Sequence, residues 1–91
     1  MGQHQVGERL ASLLLYIKDE FGTQPDGALN IYMKRAEMAN FIGTATESMI
    51  RTLKRFERNG WVRTHKKAIY LSNEQALHLL VEGYRANNAF V

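Results

Sequence analysis

The sequence predicts a small α+β domain in which two short helices around a tight turn are followed by a β-hairpin, and three observations carry that prediction. Arg35–Ile42 and the stretch from Thr44 to Arg58 each have helical spacing and are separated by Gly43. Trp61–Thr64 and Ala68–Leu71 are strand-like runs either side of a short basic turn, His65-Lys66-Lys67. Between Lys34 and Lys67 lie nine Lys or Arg and three Glu, whereas the rest of the chain is net acidic.

The first helix of the pair has an apolar stripe of Met38, Ala39 and Ile42. Gly43 stops it, because glycine tolerates the left-handed backbone that ends a helix. Thr44 and Glu47 then stand in the T-x-x-E relation of a capping box, so a new helix is expected to start at Thr44. A connection of about three or four residues is the length of a helix-turn-helix. At about 100° per residue, Ala45, Met49, Leu53 and Phe56 fall on one side of the second helix. Glu47, Ile50, Arg51, Lys54 and Arg58 fall on the other and are expected to face outward. By itself such a pair reads either as an ordinary helical hairpin with a solvated face or as a reading head for a charged partner.

Length and composition narrow the classes. The 91 residues make one domain, large enough for a core but with little surplus surface to enclose a substrate. With 45% hydrophobic and 23% charged residues the chain reads as an ordinary globular domain. No apolar run is long enough to span a membrane, and a cytoplasmic location is expected. Cysteine is absent, which removes disulfides and thiolate metal sites. His4, His65 and His78 are too scattered for a metal centre, and no nucleophile–base constellation is evident, so neither an enzyme nor a metalloprotein is expected. The net charge of +3 is modest, but its concentration between Lys34 and Lys67 is the footprint of a polyanionic partner.

The remaining elements follow in order. Residues 1–5, MGQHQ, are polar and patternless and are expected as a disordered or cloning-derived start. Leu10, Leu13, Leu14, Ile17 and Phe21 recur at helical spacing and predict a helix over Val6–Phe21. Gly22 to Gly27 is a run of turn formers holding the single proline. Ala28–Met33 alternates, with Leu29, Ile31 and Met33 inward, which predicts a third strand beside the hairpin. Ser72-x-x-Gln75 predicts a capping box for a last helix with Leu77, Leu80, Val81 and Tyr84 on its apolar side. The domain is bounded at 6–84, with 85–91 a tail. One core is expected from Leu10, Leu14, Ile17, Met38, Ile42, Met49, Leu53, Phe56 and Trp61.

Helix, strand, helix, helix, hairpin, helix is the order of a winged helix-turn-helix, the hairpin being the wing. The stretch Arg35–Val62, RAEMANFIGTATESMIRTLKRFERNGWV, resembles the DNA-binding domain of the cyclic-AMP receptor and fumarate-nitrate regulator (Crp/Fnr) family of bacterial transcription factors. The family pattern R-x-[ED]-[IM]-[AG]-x-x-[ILV]-G-x-[ST]-x-E-[ST]-[VM]-x-R-x-[LI] is met at nearly every fixed position. The resemblance implies double-stranded DNA as partner and allows RNA polymerase as another. It also implies a major-groove helix over about 45–58, on which Thr46, Glu47, Ile50 and Arg51 face base edges. Arg51 suits a guanine O6/N7 pair and Glu47 a cytosine N4 amino group. Lys34, Arg35, Lys54, Arg55, Arg58 and the wing residues His65, Lys66 and Lys67 are the candidate phosphate contacts.

Four positions depart from the family. Thr46 stands where the cyclic-AMP receptor type has arginine, which puts its base preference in doubt here. Ile50 stands where Gly or Ser is common, and reads equally as a thymine-methyl contact or a tolerated surface residue. Lys34 replaces a capping Thr, which loses a cap and adds a cation. Lys66 takes the place of a wing-turn Gly, so that turn is expected to be longer or strained. The family's sensor domain and dimerisation helix have no counterpart in these residues. The effector and any cofactor are therefore expected elsewhere, in a larger dimeric protein of which this is a fragment, or the chain is a free-standing relative; the isolated domain is expected to be a monomer. The alternative function is a winged helix used as a protein-interaction module, since fold alone does not fix function.

Overall fold

The computed structural model describes residues 3–89, with side chains described for residues 5–83. Four helices and one hairpin follow in the order α1 (Gln3–Phe21), α2 (Arg35–Ile42), α3 (Thr46–Arg58), β1 (Val62–His65), β2 (Ala68–Leu71) and α4 (Glu74–Ala89). The expected winged helix-turn-helix is the architecture found. Its outer helices extend further than the sequence suggested, because α1 begins at Gln3 and α4 continues through residues expected as a tail. The expected apolar position Tyr84 and residues 1, 2, 90 and 91 lie outside the residues described in full.

The core forms where α1 lies across the other helices. Leu10, Leu14, Met38, Ala39, Met49, Phe56 and Leu77 are essentially inaccessible, and Ile17, Ile42 and Leu53 are buried with them. Trp61, expected among these, is half-buried at the margin, its ring 5.2 Å from that of Phe56 and tilted by 54°. Leu15, Val81 and Leu77 extend the core into the contact between α1 and α4. Phe21 does not join it: at the last turn of α1 it is 48% exposed, where the chain turns away into the 22–30 loop.

The two helices of the turn motif, α2 and α3, each stop on a glycine. Gly43 has φ 76, and the N–H of Thr44 bonds the Ala39 carbonyl at 3.0 Å, a Schellman closure. Gly60 repeats the device at the end of α3, with φ 77 and Trp61 N–H on the Phe56 carbonyl at 2.9 Å. The first closure corrects the capping expectation. Thr44 is consumed in stopping α2, so the N-cap of α3 is Ala45, which has no side-chain acceptor and is exposed rather than part of the buried stripe. The last helix shifts likewise: Asn73 Oδ1, not Ser72, accepts from the N–H of Ala76 at 3.1 Å, because α4 starts at Glu74.

The sheet has two strands rather than three. β1 and β2 pair antiparallel from Val62↔Leu71 to His65↔Ala68. Ala28 and Leu29 join this sheet only through an isolated bridge to Tyr70 and a bond from Leu29 N–H to the Ile69 carbonyl, 2.9 Å. Past Leu29 the chain must leave the sheet to reach α2. Asn30 bonds back to the Gly22 and Phe21 carbonyls, and Ile31 and Tyr32 are exposed. The alternation in Ala28–Met33 therefore had the right inward residue at Leu29, failed at Ile31, and held in part at Met33, which is half-buried against the core.

Two ionic features pin the periphery. Lys18 Nζ lies 2.7 Å from Glu74 Oε2, joining the end of α1 to the start of α4, and that bond raises the lysine's pKa. Asp26 accepts from the N–H of Ala28 and from the Tyr70 hydroxyl, each at 3.1 Å, which together lower its pKa, the backbone bond contributing most. A lowered carboxylate pKa contributes stability above the unfolded-state value, and that contribution disappears as pH falls through the folded-state value. Asp26→Asn is thus expected to lower stability modestly in the neutral region and to flatten the acid limb of a stability–pH profile below the ordinary aspartate value of 3.8, with the two proteins converging at the acid end, as measured by urea unfolding. Phe56→Ala, which empties the centre of the core, should cost about 3–5 kcal/mol in the same measurement.

Candidate nucleic-acid interface

The outward face of α3 is defined by what its other face buries. Met49, Thr52, Leu53 and Phe56 turn inward, and the Thr52 hydroxyl satisfies itself on the Ser48 carbonyl at 2.9 Å. With those positions fixed, Glu47, Arg51, Lys54 and Arg58 are exposed on the opposite side. Glu47 lies in the first turn, where a carboxylate is favoured by the helix dipole, but not in the capping bond expected of it. The Arg51 guanidinium is held only by a long contact from Nη2 to Ser48 Oγ, 3.4 Å. Among the described residues neither Glu47 nor Arg51 is in an ion pair, so both keep their hydrogen-bonding capacity for a partner. Without a side-chain cap at Ala45, the first N–H groups of α3 are also available.

The other two candidate base readers are placed differently. Thr46 is half-buried at the start of α3. Ile50 is not the exposed residue expected: it is half-buried and packs against the core. The helical-wheel position was right, but an apolar side chain at the edge of the stripe leans toward the interior.

The candidate phosphate contacts separate into groups. Lys34 is exposed at the N-cap of α2, and its N–H bonds Glu37 Oε1 at 2.9 Å. The cap expected to be lost is thus half supplied by the carboxylate, since a lysine side chain has no acceptor to complete the box. Arg35 is half-buried, with Nη1 3.9 Å from the Met38 sulfur. Arg55 turns away from the α3 outer face: it is half-buried and its Nη2 lies against the α1 backbone at Gly7, within 2.7 Å of where a Cβ would stand there. His65, Lys66 and Lys67 are all exposed at the end of the hairpin. The turn between the strands has only two residues, Lys66 and Lys67, and Lys66 adopts φ 56. Of the two expectations for this turn, strain holds and extra length does not.

Two further residues matter that composition alone did not place. Arg63 is exposed on β1, its Cζ 3.8 Å above the Tyr70 ring, whose hydroxyl reaches Asp26. Its alternation with buried Val62 is the signal that puts it on the outer face. Arg9 of α1 donates from Nη1 to the Ile42 carbonyl at 3.1 Å, closing the end of α2. No local pattern announces that contact.

A family model described as a Crp-like helix-turn-helix domain matches residues 8–80. The chain belongs to that family. Membership makes it a DNA-binding domain of the Crp/Fnr type of transcription regulator. The "CRP-like cAMP-activated global transcriptional regulator" of Mycobacterium tuberculosis is 32% identical over 71 residues, 76% of this chain and 32% of that protein. The structure of FixK2 from Bradyrhizobium japonicum matches with a TM-score of 0.72 at 26% identity, over 82% of this chain and 37% of that one. A Crp/Fnr-family transcriptional regulator from Thermus thermophilus matches with a TM-score of 0.73 at 22% identity, over 84% of this chain and 40% of that one, a likeness of fold. The Crp-like domain thus spans about a third of the length of the M. tuberculosis relative.

Arg51, on the exposed face of α3, and Lys66, at the tip of the wing, stand on different elements, so their substitutions test separate expectations. Arg51→Ala is expected to cost about 1–3 kcal/mol on a duplex selected by the wild-type chain from a random pool, and far less on a scrambled duplex. Lys66→Ala should weaken both equally and make the salt dependence shallower by roughly one unit of log K per log salt. Fluorescence anisotropy with both duplexes checks this; equal proportional losses for the two variants would refute the division.

Proposed function

We propose that this Crp-like domain binds duplex DNA with α3 in the major groove, Arg51 and Glu47 reading base edges with Thr46 beside them. In this reading Lys34, Lys54, Arg58 and the wing tip His65, Lys66 and Lys67 meet phosphates, Arg35 contributes from the start of α2, and Ile50 offers an apolar edge to a thymine methyl. Arg55, turned toward α1, is the weakest of the proposed phosphate contacts. The observation that carries the reading is the exposed, unpaired Glu47 and Arg51 on the face of α3 opposite a fully buried stripe.

We further propose that the domain serves a larger bacterial cytoplasmic regulator that dimerises and senses its effector through other residues, with RNA polymerase as a further partner. The domain itself is proposed to be non-enzymatic, free of cofactor and monomeric when isolated. Among the described residues no helix is long and apolar enough to cross a membrane. One observation favours the alternative of a protein-interaction module: Tyr16 and Phe41, 52% and 66% exposed, flank a cavity between α1 and α2.

Titration with random duplex across low and moderate salt separates the two readings. With about four to six phosphates neutralised, log K should fall with log salt at a slope of roughly −4 to −5. Binding insensitive to salt, or none at low salt, would favour the interaction module. Sedimentation at micromolar concentration should show a monomer, and a tight dimer there would contradict the proposed division of labour.

A further inference from the structure

Lys67 stands at the end of a strained two-residue turn, on a long side chain that in isolation would sample many conformations. In the fold it does not stand alone. Its Nζ lies 5.3 Å from the centroid of the Tyr32 ring, within the distance at which an ammonium is attracted by an aromatic face. Tyr32 belongs to the irregular segment that leads from the 22–30 loop into α2, and it is 49% exposed. The same segment is tied to the wing at Leu29 and Ala28, so its position relative to Lys67 is set by backbone bonds rather than by chance contact. Among the described residues Lys67 has no ion pair, so its charge is not spent on a carboxylate.

We propose that Tyr32 is a positioning residue for DNA binding, its ring holding the Lys67 ammonium ready for a phosphate. The inference rests on the DNA-binding reading above. An ammonium has three donors and needs only one side for the ring, so the remaining side stays open to an anion. Pre-ordering a long side chain removes part of the entropy that binding would otherwise cost. The contribution of Tyr32 would thus come from its ring and from its place beside Lys67, not from a contact of its own with the phosphate.

The test is a double-mutant cycle in the whole chain, read by anisotropy with random duplex at low salt. Tyr32→Ala should weaken binding about two- to five-fold, the range a partly exposed cation–π contact supplies. Tyr32→Phe, which keeps the ring, should bind as the wild type does. In a Lys67→Ala background, Tyr32→Ala should have no further effect. Ring-current shifts of the Lys67 side-chain protons, present in the wild type and Tyr32→Phe and lost in Tyr32→Ala, provide a readout that needs no DNA. The proposal is overturned if Tyr32→Ala binds as well as or better than wild type, if it costs as much without Lys67 as with it, or if Tyr32→Phe is as weak as Tyr32→Ala. Lys67→Ala binding like wild type would overturn this proposal alone, whereas a wild-type chain without salt-dependent duplex binding would remove the DNA reading and this inference with it.

Discussion

The burial of Met49, Leu53 and Phe56 is the constraint on which the rest of the structure depends. A helix has one rotational setting that puts all three inside, and α1 and α2 supply the apolar surfaces that select it. At roughly 1.5–3 kcal/mol for each fully buried large apolar side chain, a rotation that exposed all three would cost a sum comparable to the whole stability of a small domain. The exposed residues of α3 gain nothing comparable from their own contacts, so their orientation is inherited from the opposite face. The outward setting of Arg51 is in this sense a property of Phe56.

The wing inherits its position in the same way. The Thr64 hydroxyl on β1 donates to the Glu57 carboxylate of α3, and the N–H of Asn73 bonds the Trp61 carbonyl at the hairpin's base. On the other side Ile69 and Tyr70 are held by the loop through Leu29, Ala28 and Asp26. Helix α3 and the wing are therefore anchored to one another and to the 22–30 loop. A body of this kind can meet a duplex at two places with little ordering still to be done, which reduces the cost of association.

Periodicity made most of this legible. The apolar spacing of α1 as far as Ile17, the stripe of α3 from Met49 onward and the glycine stops at Gly43 and Gly60 are local signals, and each survives in the structure because tertiary packing agrees with it. The failures have a common cause. Thr44 and Ser72 satisfied a capping pattern, but the helix start is decided by the turn that precedes it, and both starts moved downstream. Ala28–Met33 alternated as a strand does, but the chain has to depart for α2 after Leu29. Angle and charge do not suffice for Ile50 and Arg55; the first is drawn inward by its apolarity and the second by room above Gly7. Asp26 with Tyr70, and Arg9 with Ile42, join residues far apart in sequence, and no local pattern encodes such pairs.

The two-stranded sheet leaves its edges unequal. Along β2, Ala28 and Leu29 occupy part of the backbone that another strand would seek. Among the described residues β1 has no strand on its far side, and its free N–H and C=O groups are the kind of template on which copies of a protein can stack into aggregates. That strand is only four residues long, and it carries Arg63 and His65 at its exposed positions. A short margin that carries the charge of Arg63 is a poor template, so the same side chain that stacks on Tyr70 also discourages the hairpin from recruiting its own kind.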